Sequence, residues 1–257
     1  MKKKEKAKYY KASLTEKGRR RLNEDCYLVL SKETDKNLGY IVLVADGLGG
    51  LDRGEIVSGY IKQSLKKWYE EKAEDLFMMS THDIKLALNE EICNIHEVLV
   101  ANSISKETSY GSTLTCFLCM NSRYVIAHVG DSRCYISYRK NIRQLTKDQT
   151  QYQKMLDANE EIPPDKKAKM QSTLLQCIGH GRLSPHYYEG ILPDEYELLL
   201  CTDGFYRKLS QEDITKFFLS NHPLDVKLKE TTNLVLSRNE TDNITAVLLK
   251  KTYETEL

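Results

Sequence analysis

The chain has 257 residues, 40% of them hydrophobic and 29% charged, which is typical of a globular protein and excludes disordered and fibrous classes. Lysine and arginine number 38 against 37 acidic residues, so no overall positive field favours binding to nucleic acid. The apolar runs are much shorter than the roughly 20 residues that a membrane span needs, and the basic start lacks a signal-peptide pattern. We therefore expect a cytoplasmic protein with no membrane span and no nucleic-acid partner.

The N-terminal stretch "MKKKEKAKYY" is basic and polar, and we interpret residues 1–11 as a flexible, solvated basic tail. No linker or internal repeat interrupts the rest of the sequence. Residues 12–257 are therefore predicted to form a single domain.

The seven cysteines are an odd number and lie in apolar segments, as expected of reduced thiols. Cys116 and Cys119 have the spacing of a metal-ligand pair. The surrounding "STLTCFLCM" reads as a strand, in which residues three apart point to opposite faces, so a shared zinc ion is not expected.

The first half of the chain predicts a pair of strands followed by two helices. Residues 25–31 and 39–45 are short apolar runs typical of strands. Residues 54–77 and 83–100 then carry apolar side chains at helical spacing. Two amphipathic helices are therefore expected after the first hairpin.

The strand pattern returns in the middle of the chain. Residues 113–120, 124–130 and 133–138 are apolar runs separated by the turns "NSR" and "GDS", which predicts an antiparallel meander. Residues 146–190 are polar and without a clean period, so they are interpreted as a long excursion with some helix. Loops of that length in a compact domain are often functional.

The last part of the chain predicts two helices between two strands. The strands cover residues 196–202 and 244–250, and a second helix covers about 224–238. The first helix begins at Ser210, with Asp213 three residues later in the pattern of a capping box. Strands in runs and helices in pairs indicate an α+β fold.

Four aspartates stand at strand ends. Asp46 ends "YIVLVAD", Asp131 ends "YVIAHVGD", Asp203 follows "YELLLCT", and Asp242 comes just before the last strand. If that strand is antiparallel to its neighbours, its start shares a rim with their ends. Any one of these residues could simply be a turn aspartate. Together, four carboxylates would repel strongly unless cations neutralised them, and all-oxygen ligands favour Mg²⁺ or Mn²⁺.

Two hard cations on an acidic rim are typical of phosphate-ester hydrolysis. Phosphoryl transfer also benefits from a cation that can bind the phosphate in a bidentate manner. The segment "KGRRRLNEDCY" supplies such candidates in Arg19, Arg20 and Arg21, just before Glu24 and Asp25. We interpret one of these arginines as a phosphate clamp.

A series of motifs in this order resembles a known family. The motifs "RRRLNED", "VADGLGG", "GEIVS", "YGSTLT", "HVGDSR", "LTKDQT", "LLQCIG", "LLLCTDGF" and "DNITAVLL" are similar to those of metal-dependent (PPM) protein phosphatases of type 2C, particularly compact bacterial members. The resemblance extends over residues 12–250. It implies a central sandwich of two antiparallel β-sheets flanked on both sides by α-helices, with residues 146–190 as the flap.

The same resemblance implies the activity and the partners. Members of the family hydrolyse phosphoserine and phosphothreonine in proteins with a metal-bridging water. The expected partners are phosphorylated proteins and a bacterial Ser/Thr kinase whose action the protein opposes, and the protein is expected to be a monomer. The implied cofactors are two or three Mn²⁺ or Mg²⁺ ions.

The resemblance also implies a role for each site residue. Asp46 would bridge two metals, with the Gly47 carbonyl as a further ligand, and Arg20 would clamp the phosphate because it lies five residues before Asp25. The other expected site residues are Asp203 and Asp242 on the second metal, Glu24 acting through water, Asp131 with Asp203 on a third metal, and Asp25 and Asn243 behind the ligands. Asp131 retains its alternative interpretation as a turn acid.

Two positions depart from the family pattern. Leu48 stands where many animal members carry a histidine proposed as general acid, so protonation of the leaving group falls to water. Gln149 follows Asp148 where a histidine or an acid is common, which bears on how the excursion packs.

Two alternative functions share this fold. A pseudophosphatase would bind phosphoproteins without turnover, but such members typically lack metal acids, and this sequence retains all of them. A phosphatase dedicated to an anti-sigma antagonist would usually carry extra sensory domains, and none is expected here.

Overall fold

The computed structural model describes residues 5–34, 37–49, 53–105 and 110–255, and its strands pair in two antiparallel sheets. The strands are β1 (Glu5–Glu16), β2 (Asp25–Glu33), β3 (Leu38–Gly49), β4 (Tyr110–Ser112), β5 (Leu114–Met120), β6 (Arg123–Val129), β7 (Arg133–Tyr138), β8 (Asn141–Gln144), β9 (His186–Ile191), β10 (Tyr196–Cys201) and β11 (Ile244–Thr255). One sheet has the order β1-β11-β10-β7-β8. The other has the order β2-β3-β5-β6-β9, with β4 paired to β3.

Helices cover the outer face of each sheet. The described helices are α1 (Gly54–Leu76), α2 (Thr81–Ser105), α3 (Gln151–Asp157), α4 (Lys167–Ser172), α5 (Asp203–Tyr206), α6 (Gln211–Leu219) and α7 (Leu224–Ser237). The long helices α1 and α2 pack on the sheet that contains β3, and α5 to α7 pack on the sheet that contains β10. This arrangement confirms the predicted sandwich with helices on both sides.

Strand alternation divides the core into layers. In β10, Leu198 and Leu200 point between the sheets, whereas Leu199 and Cys201 face the helices on the other side. All four side chains are fully buried. Because both faces of the strand are covered, the sequence shows an unbroken apolar run instead of an apolar-polar alternation.

Cys116 and Cys119 point to opposite faces of β5, as the strand pattern predicts. Cys116 packs with the α1 and α2 side of its sheet, and Cys119 packs in the layer between the sheets. All seven cysteines are free.

The predicted start of the fold is wrong. Residues 5–11, expected as flexible tail, form the first part of β1, which pairs with β11 from Glu5 opposite Thr255 to Glu16 opposite Ile244. An edge strand tolerates lysines because one of its sides stays in solvent. The lysine-rich sequence of residues 5–11 therefore gave no sign that they pair with β11. Residues 1–4 lie outside the described residues, and the assignment of the remainder to a single domain stays a prediction.

The excursion over 146–190 contains more regular structure than expected. Its helices are α3 and α4, as the prediction of some helix requires, but its last residues enter β9. β9 pairs with β6, with His186 opposite His128 and Ile191 opposite Arg123. The strand was missed because its side chains are exposed or half-buried and show no apolar run.

The capping box at Ser210 is confirmed. Asp213 N–H donates to Ser210 Oγ at 3.1 Å, and Ser210 N–H donates to Asp213 Oδ2 at 2.8 Å. Among the described residues, no helix is long and apolar enough to cross a membrane.

Candidate active site at the acidic rim

The two sheets meet at a rim where Asp25 lies opposite Asp46. Asp25 opens β2 and is the register partner of Asp46 in β3. The Asp25 side chain is buried, and its Oδ2 accepts a hydrogen bond of 2.8 Å from Thr202 Oγ1. Since Thr202 follows β10 directly, this bond joins the strand ends of the two sheets.

Asp203 and Asp242 lie on the same rim as a consequence of antiparallel pairing. Cys201 at the end of β10 is opposite Ala246 in β11, so the end of one strand lies beside the start of the other. The Arg207 guanidinium pairs with Asp203 and lies 3.5 Å from Asp242 Oδ2. One arginine thus reaches both carboxylates.

Asp131 occupies the turn between β6 and β7. It is buried, and its backbone carbonyl accepts a hydrogen bond of 2.9 Å from the Tyr206 hydroxyl in α5. The preceding Gly130 has a φ of 101°, a conformation that favours glycine. The turn is therefore tied to the helix that begins at Asp203.

The loop that carries Arg20 is fastened next to Asp242. Arg20 Nη2 donates to Asp242 Oδ2 at 2.8 Å, and 55% of the Arg20 side chain is exposed. Gly18 has a φ of 62°, and a Cβ there would collide with the Asp242 carbonyl. Only glycine allows this close approach of the loop.

Glu24 connects the loop to the first turn of α1. Its Oε1 accepts a hydrogen bond of 3.1 Å from Gly54 N–H, and its backbone carbonyl accepts one of 3.1 Å from Gly47 N–H. A Cβ on Gly54 would lie within 2.7 Å of the Gly47 carbonyl oxygen and would also meet Glu24 Oε1. These two oxygens therefore converge on one small space beside Gly54.

Burial raises the pKa of Asp25, Asp46 and Asp131 on the rim. It raises the pKa of Asp25 to about 7 and that of Asp131 to about 6, with a further contribution from Asp148 in the second case. Burial, and then the charges of Asp25 and Asp131, raise the pKa of Asp46 well above its usual range. The cause is desolvation of like charges, which a bound cation would relieve.

The rim has the chemistry of a site for hard cations. Asp25 Oδ1 and Asp203 Oδ1 are buried and have no hydrogen-bond partner among the described residues. Leaving such oxygens unpaired is costly, and a metal ion with its bound water would satisfy them. The donors are carboxylate and carbonyl oxygens, which suit Mg²⁺ or Mn²⁺. The residues present therefore fit divalent metal ions.

The rim acids are gathered but do not form a closed cage. In the parts of the chain that the structure describes, no group of three or more histidine, cysteine, aspartate or glutamate side chains is arranged to hold a metal. Instead, Arg207 binds Asp203 and Arg20 binds Asp242. The assignment of single residues to single metals stays a prediction.

Sequence reasoning missed Arg207 and Thr202. Arg207 lies four residues after Asp203, the spacing at which side chains meet on a helix, and this spacing was the available signal. Thr202 offered no comparable signal, because its bond to Asp25 spans the two sheets.

The protein is an α-β-β-α sandwich whose carboxylate-rich rim fits divalent metal ions. The family model described as Protein phosphatase 2C matches residues 13–155. The chain belongs to the protein phosphatase 2C family.

One curated relative and two solved structures are similar to this chain over most of its length. The serine/threonine phosphatase stp of Listeria welshimeri is 28% identical over 242 residues, covering 92% of this chain and 94% of the relative. The fold is similar to that of the S. agalactiae serine/threonine phosphatase, with a TM-score of 0.80, 23% identity, and coverage of 94% of this chain and 99% of that chain. The catalytic domain of the phosphatase PstP, solved with two manganese ions, matches with a TM-score of 0.77, 24% identity, and coverage of 96% and 100%.

Proposed function

We propose that this protein is a metal-dependent phosphatase that hydrolyses phosphoserine and phosphothreonine in proteins. One observation carries the proposal. Within the described part of the chain, one buried carboxylate oxygen each of Asp25 and Asp203 has no hydrogen-bond partner. The two residues belong to opposite sheets, whose strand ends are joined by the bond between Thr202 and Asp25. Membership of the protein phosphatase 2C family and the name of the Listeria relative support the same activity.

Each rim residue has a proposed part in holding the metals. Asp46 and the Gly47 carbonyl would hold one metal, and Asp46 would also bridge to a second held by Asp203 and Asp242. Glu24 would act through water, and Asp131 would share a third metal with Asp203. When bound, two such ions lower the pKa of a water molecule and neutralise phosphoryl oxygens. The PstP catalytic domain with its two manganese ions is the precedent for Mn²⁺.

The protein's own residues position the substrate and the ligands. Arg20 is half-exposed at the rim, and its fork of donors can exchange the Asp242 carboxylate for a phosphate. Asn243 holds the loop that carries Arg20 and Glu24. Asp25 stays behind the ligands, oriented by Thr202.

The proposed partners are phosphorylated proteins, including those modified by a bacterial Ser/Thr kinase. A monomer and a cytoplasmic location stay predictions. Neither alternative function gains support, because the metal acids are all present and the relatives are named as phosphatases.

The test is release of phosphate from a phosphothreonine peptide with and without Mn²⁺. We expect release that depends on Mn²⁺, stops with a chelator and is abolished by Asp203→Asn. The surface substitution Asp225→Asn on α7 is the matched control, because Asp225 is exposed. Activity that survives chelation would refute the metal mechanism, and phosphopeptide binding without release would favour a pseudophosphatase.

A further inference from the structure

A narrow neck attaches the segment 150–174 to the rest of the protein. Thr150 and Leu174 form an isolated antiparallel bridge, and Gln151 N–H donates to the Thr173 carbonyl at 2.9 Å. The two helices of the segment, α3 and α4, contain no buried residue. An exposed ion pair joins Lys147 to Asp157, and such pairs contribute little. The orientation of the segment therefore depends mainly on what holds its neck.

Gln149 holds the chain segment that leads into the neck, just before Thr150. The residue is 3% exposed, and both polar atoms of its side chain make hydrogen bonds. Oε1 accepts from Gly130 N–H at 2.8 Å and from Gln176 Nε2 at 2.8 Å, while Nε2 donates to the His128 carbonyl at 3.1 Å. Its backbone N–H also donates to the Gly130 carbonyl at 2.8 Å.

Gln176 holds the chain segment that leads out of the neck, just after Leu174. Besides its bond to Gln149, its amide exchanges two hydrogen bonds of 2.8 Å with the backbone of Ser184. Leu175 N–H also donates to the Gln149 carbonyl at 2.8 Å. The two glutamines thus link the two chain segments of the neck directly.

The same bonds reach the acidic rim. Gly130, which pairs with Gln149 through both its N–H and its carbonyl, directly precedes Asp131. The neck of the segment and the turn that carries a rim acid therefore share one buried network. Such networks are rigid when every group in them is satisfied.

The chemistry of position 149 requires a neutral amide. The Gln149 side chain donates to one carbonyl and accepts hydrogen bonds from two N–H groups. A carboxylate could accept these two bonds but has no N–H to donate to the carbonyl. A glutamate would also place a negative charge at the N–H of Gly130, the residue that directly precedes Asp131.

We propose that Gln149 and Gln176 form a clasp that fixes the 150–174 segment beside the acidic rim, and that the segment so fixed positions protein substrates. Both glutamines are positioning residues, since they act through the segment and not on the phosphate. The proposal rests on the phosphatase function proposed above.

The first experiment measures kcat and KM of the metal-loaded protein for a phosphothreonine peptide and for p-nitrophenyl phosphate. Gln149→Glu and Gln176→Glu should each lower the ratio of kcat/KM for peptide to that for the small ester by about tenfold, mainly through the peptide KM. The double variant should lose little more than either single one, because both break the same clasp. Gln63→Glu on the exposed face of α1 is the control for the added charge.

The second experiment is limited trypsin digestion, which needs no activity. Loss of the clasp should speed cleavage after the exposed Lys166 and Lys167 by severalfold at a temperature where the rest of the fold stays intact. If Gln149→Glu does not fold, the digestion of Gln176→Glu is sufficient to test the clasp, because the Gln176 side chain is only half-buried and its replacement is better tolerated.

Several results would overturn the clasp. Equal losses on the two substrates would mean that the glutamines only support the Asp131 turn, and unchanged digestion would mean that they do not hold the segment. If the unaltered protein hydrolysed neither substrate, the phosphatase function would fail, and the digestion would still decide the clasp.

Discussion

Asn243 accepts a hydrogen bond of 2.8 Å from the backbone N–H of Glu24, although the two residues lie at opposite ends of the chain. The Asn243 amide also donates to the carbonyls of Lys17 and Leu22, at 2.8 and 2.9 Å. A single buried side chain thus satisfies three backbone groups of the loop that carries Arg20. The loop is held against the residue that follows Asp242.

Replacing Asn243 should therefore loosen the loop as well as destabilise the fold. Asn243→Ala removes the partner of the Leu22 carbonyl and of the Glu24 N–H, and leaves the Lys17 carbonyl with only the 3.4 Å bond from Arg20 N–H. We therefore expect the unfolding free energy to fall by about 1–3 kcal/mol and the KM for phosphopeptide to rise. Urea unfolding and steady-state kinetics measure the two effects. The exposed Asn221→Ala is the control, and equal stability of both variants would contradict the assignment.

Arg20 should contribute to substrate binding more than to turnover. Arg20→Ala removes a phosphate contact and leaves the carboxylates in place, so we expect KM for phosphopeptide to rise about tenfold with kcat changed much less. The neighbouring exposed Arg19→Ala serves as control. An unchanged KM in the Arg20 variant would move the clamp to Arg19 or Arg21.

Arg207 should compete with the metals for the rim. Its guanidinium pairs with Asp203 and lies near Asp242, both proposed metal ligands. We expect Arg207→Gln to bind Mn²⁺ several-fold more tightly by calorimetry, because a positive charge has been removed from the site. The exposed Lys208→Gln makes the same change in net charge one residue away. Weaker Mn²⁺ binding in the Arg207 variant would show that the guanidinium supports the site.

His128 should make the fold sensitive to acid. Burial lowers its pKa from 6.5 to about 4, so between these values the unfolded chain binds a proton that the folded protein does not. Stability contributed by neutral His128 is then lost as the pH falls through this range, by roughly 3 kcal/mol at the acid end. Because the raised pKa of Asp25 acts in the opposite direction, the measurement compares the unaltered protein with His128→Gln by urea unfolding at pH 7 and pH 4.5.

The comparison has a simple expected result. The free energy of unfolding should fall more on acidification in the unaltered protein than in His128→Gln. The exposed His82→Gln should behave like the unaltered protein. Parallel curves for all three proteins would rule out His128 as the source of acid sensitivity.

Much of this protein could be predicted from local sequence. The apolar run before Asp46 and the capping box at Ser210 are local patterns, and the structure places a strand and a helix there. The positions of Asp131 and Asp203 just after a strand, and of Asp242 just before one, also followed from the sequence. The predicted strand end at Asp46 is wrong, because β3 continues to Gly49, where β4 supplies its hydrogen-bond partners. Ordered motifs then indicated the family without any knowledge of contacts.

Tertiary structure alone decided which distant groups meet. β1 exists as a strand because β11 supplies its hydrogen-bond partners, and no local signal in a lysine-rich segment shows that. The bond between Thr202 and Asp25 depends on how the two sheets pack. The bonds of Gln149 to Gly130 and to Gln176 form only because Thr150 and Leu174 lie side by side in the folded chain. Side-chain periodicity reports which face of an element is buried, whereas the partner across a sheet or between sheets is set by packing of the whole chain.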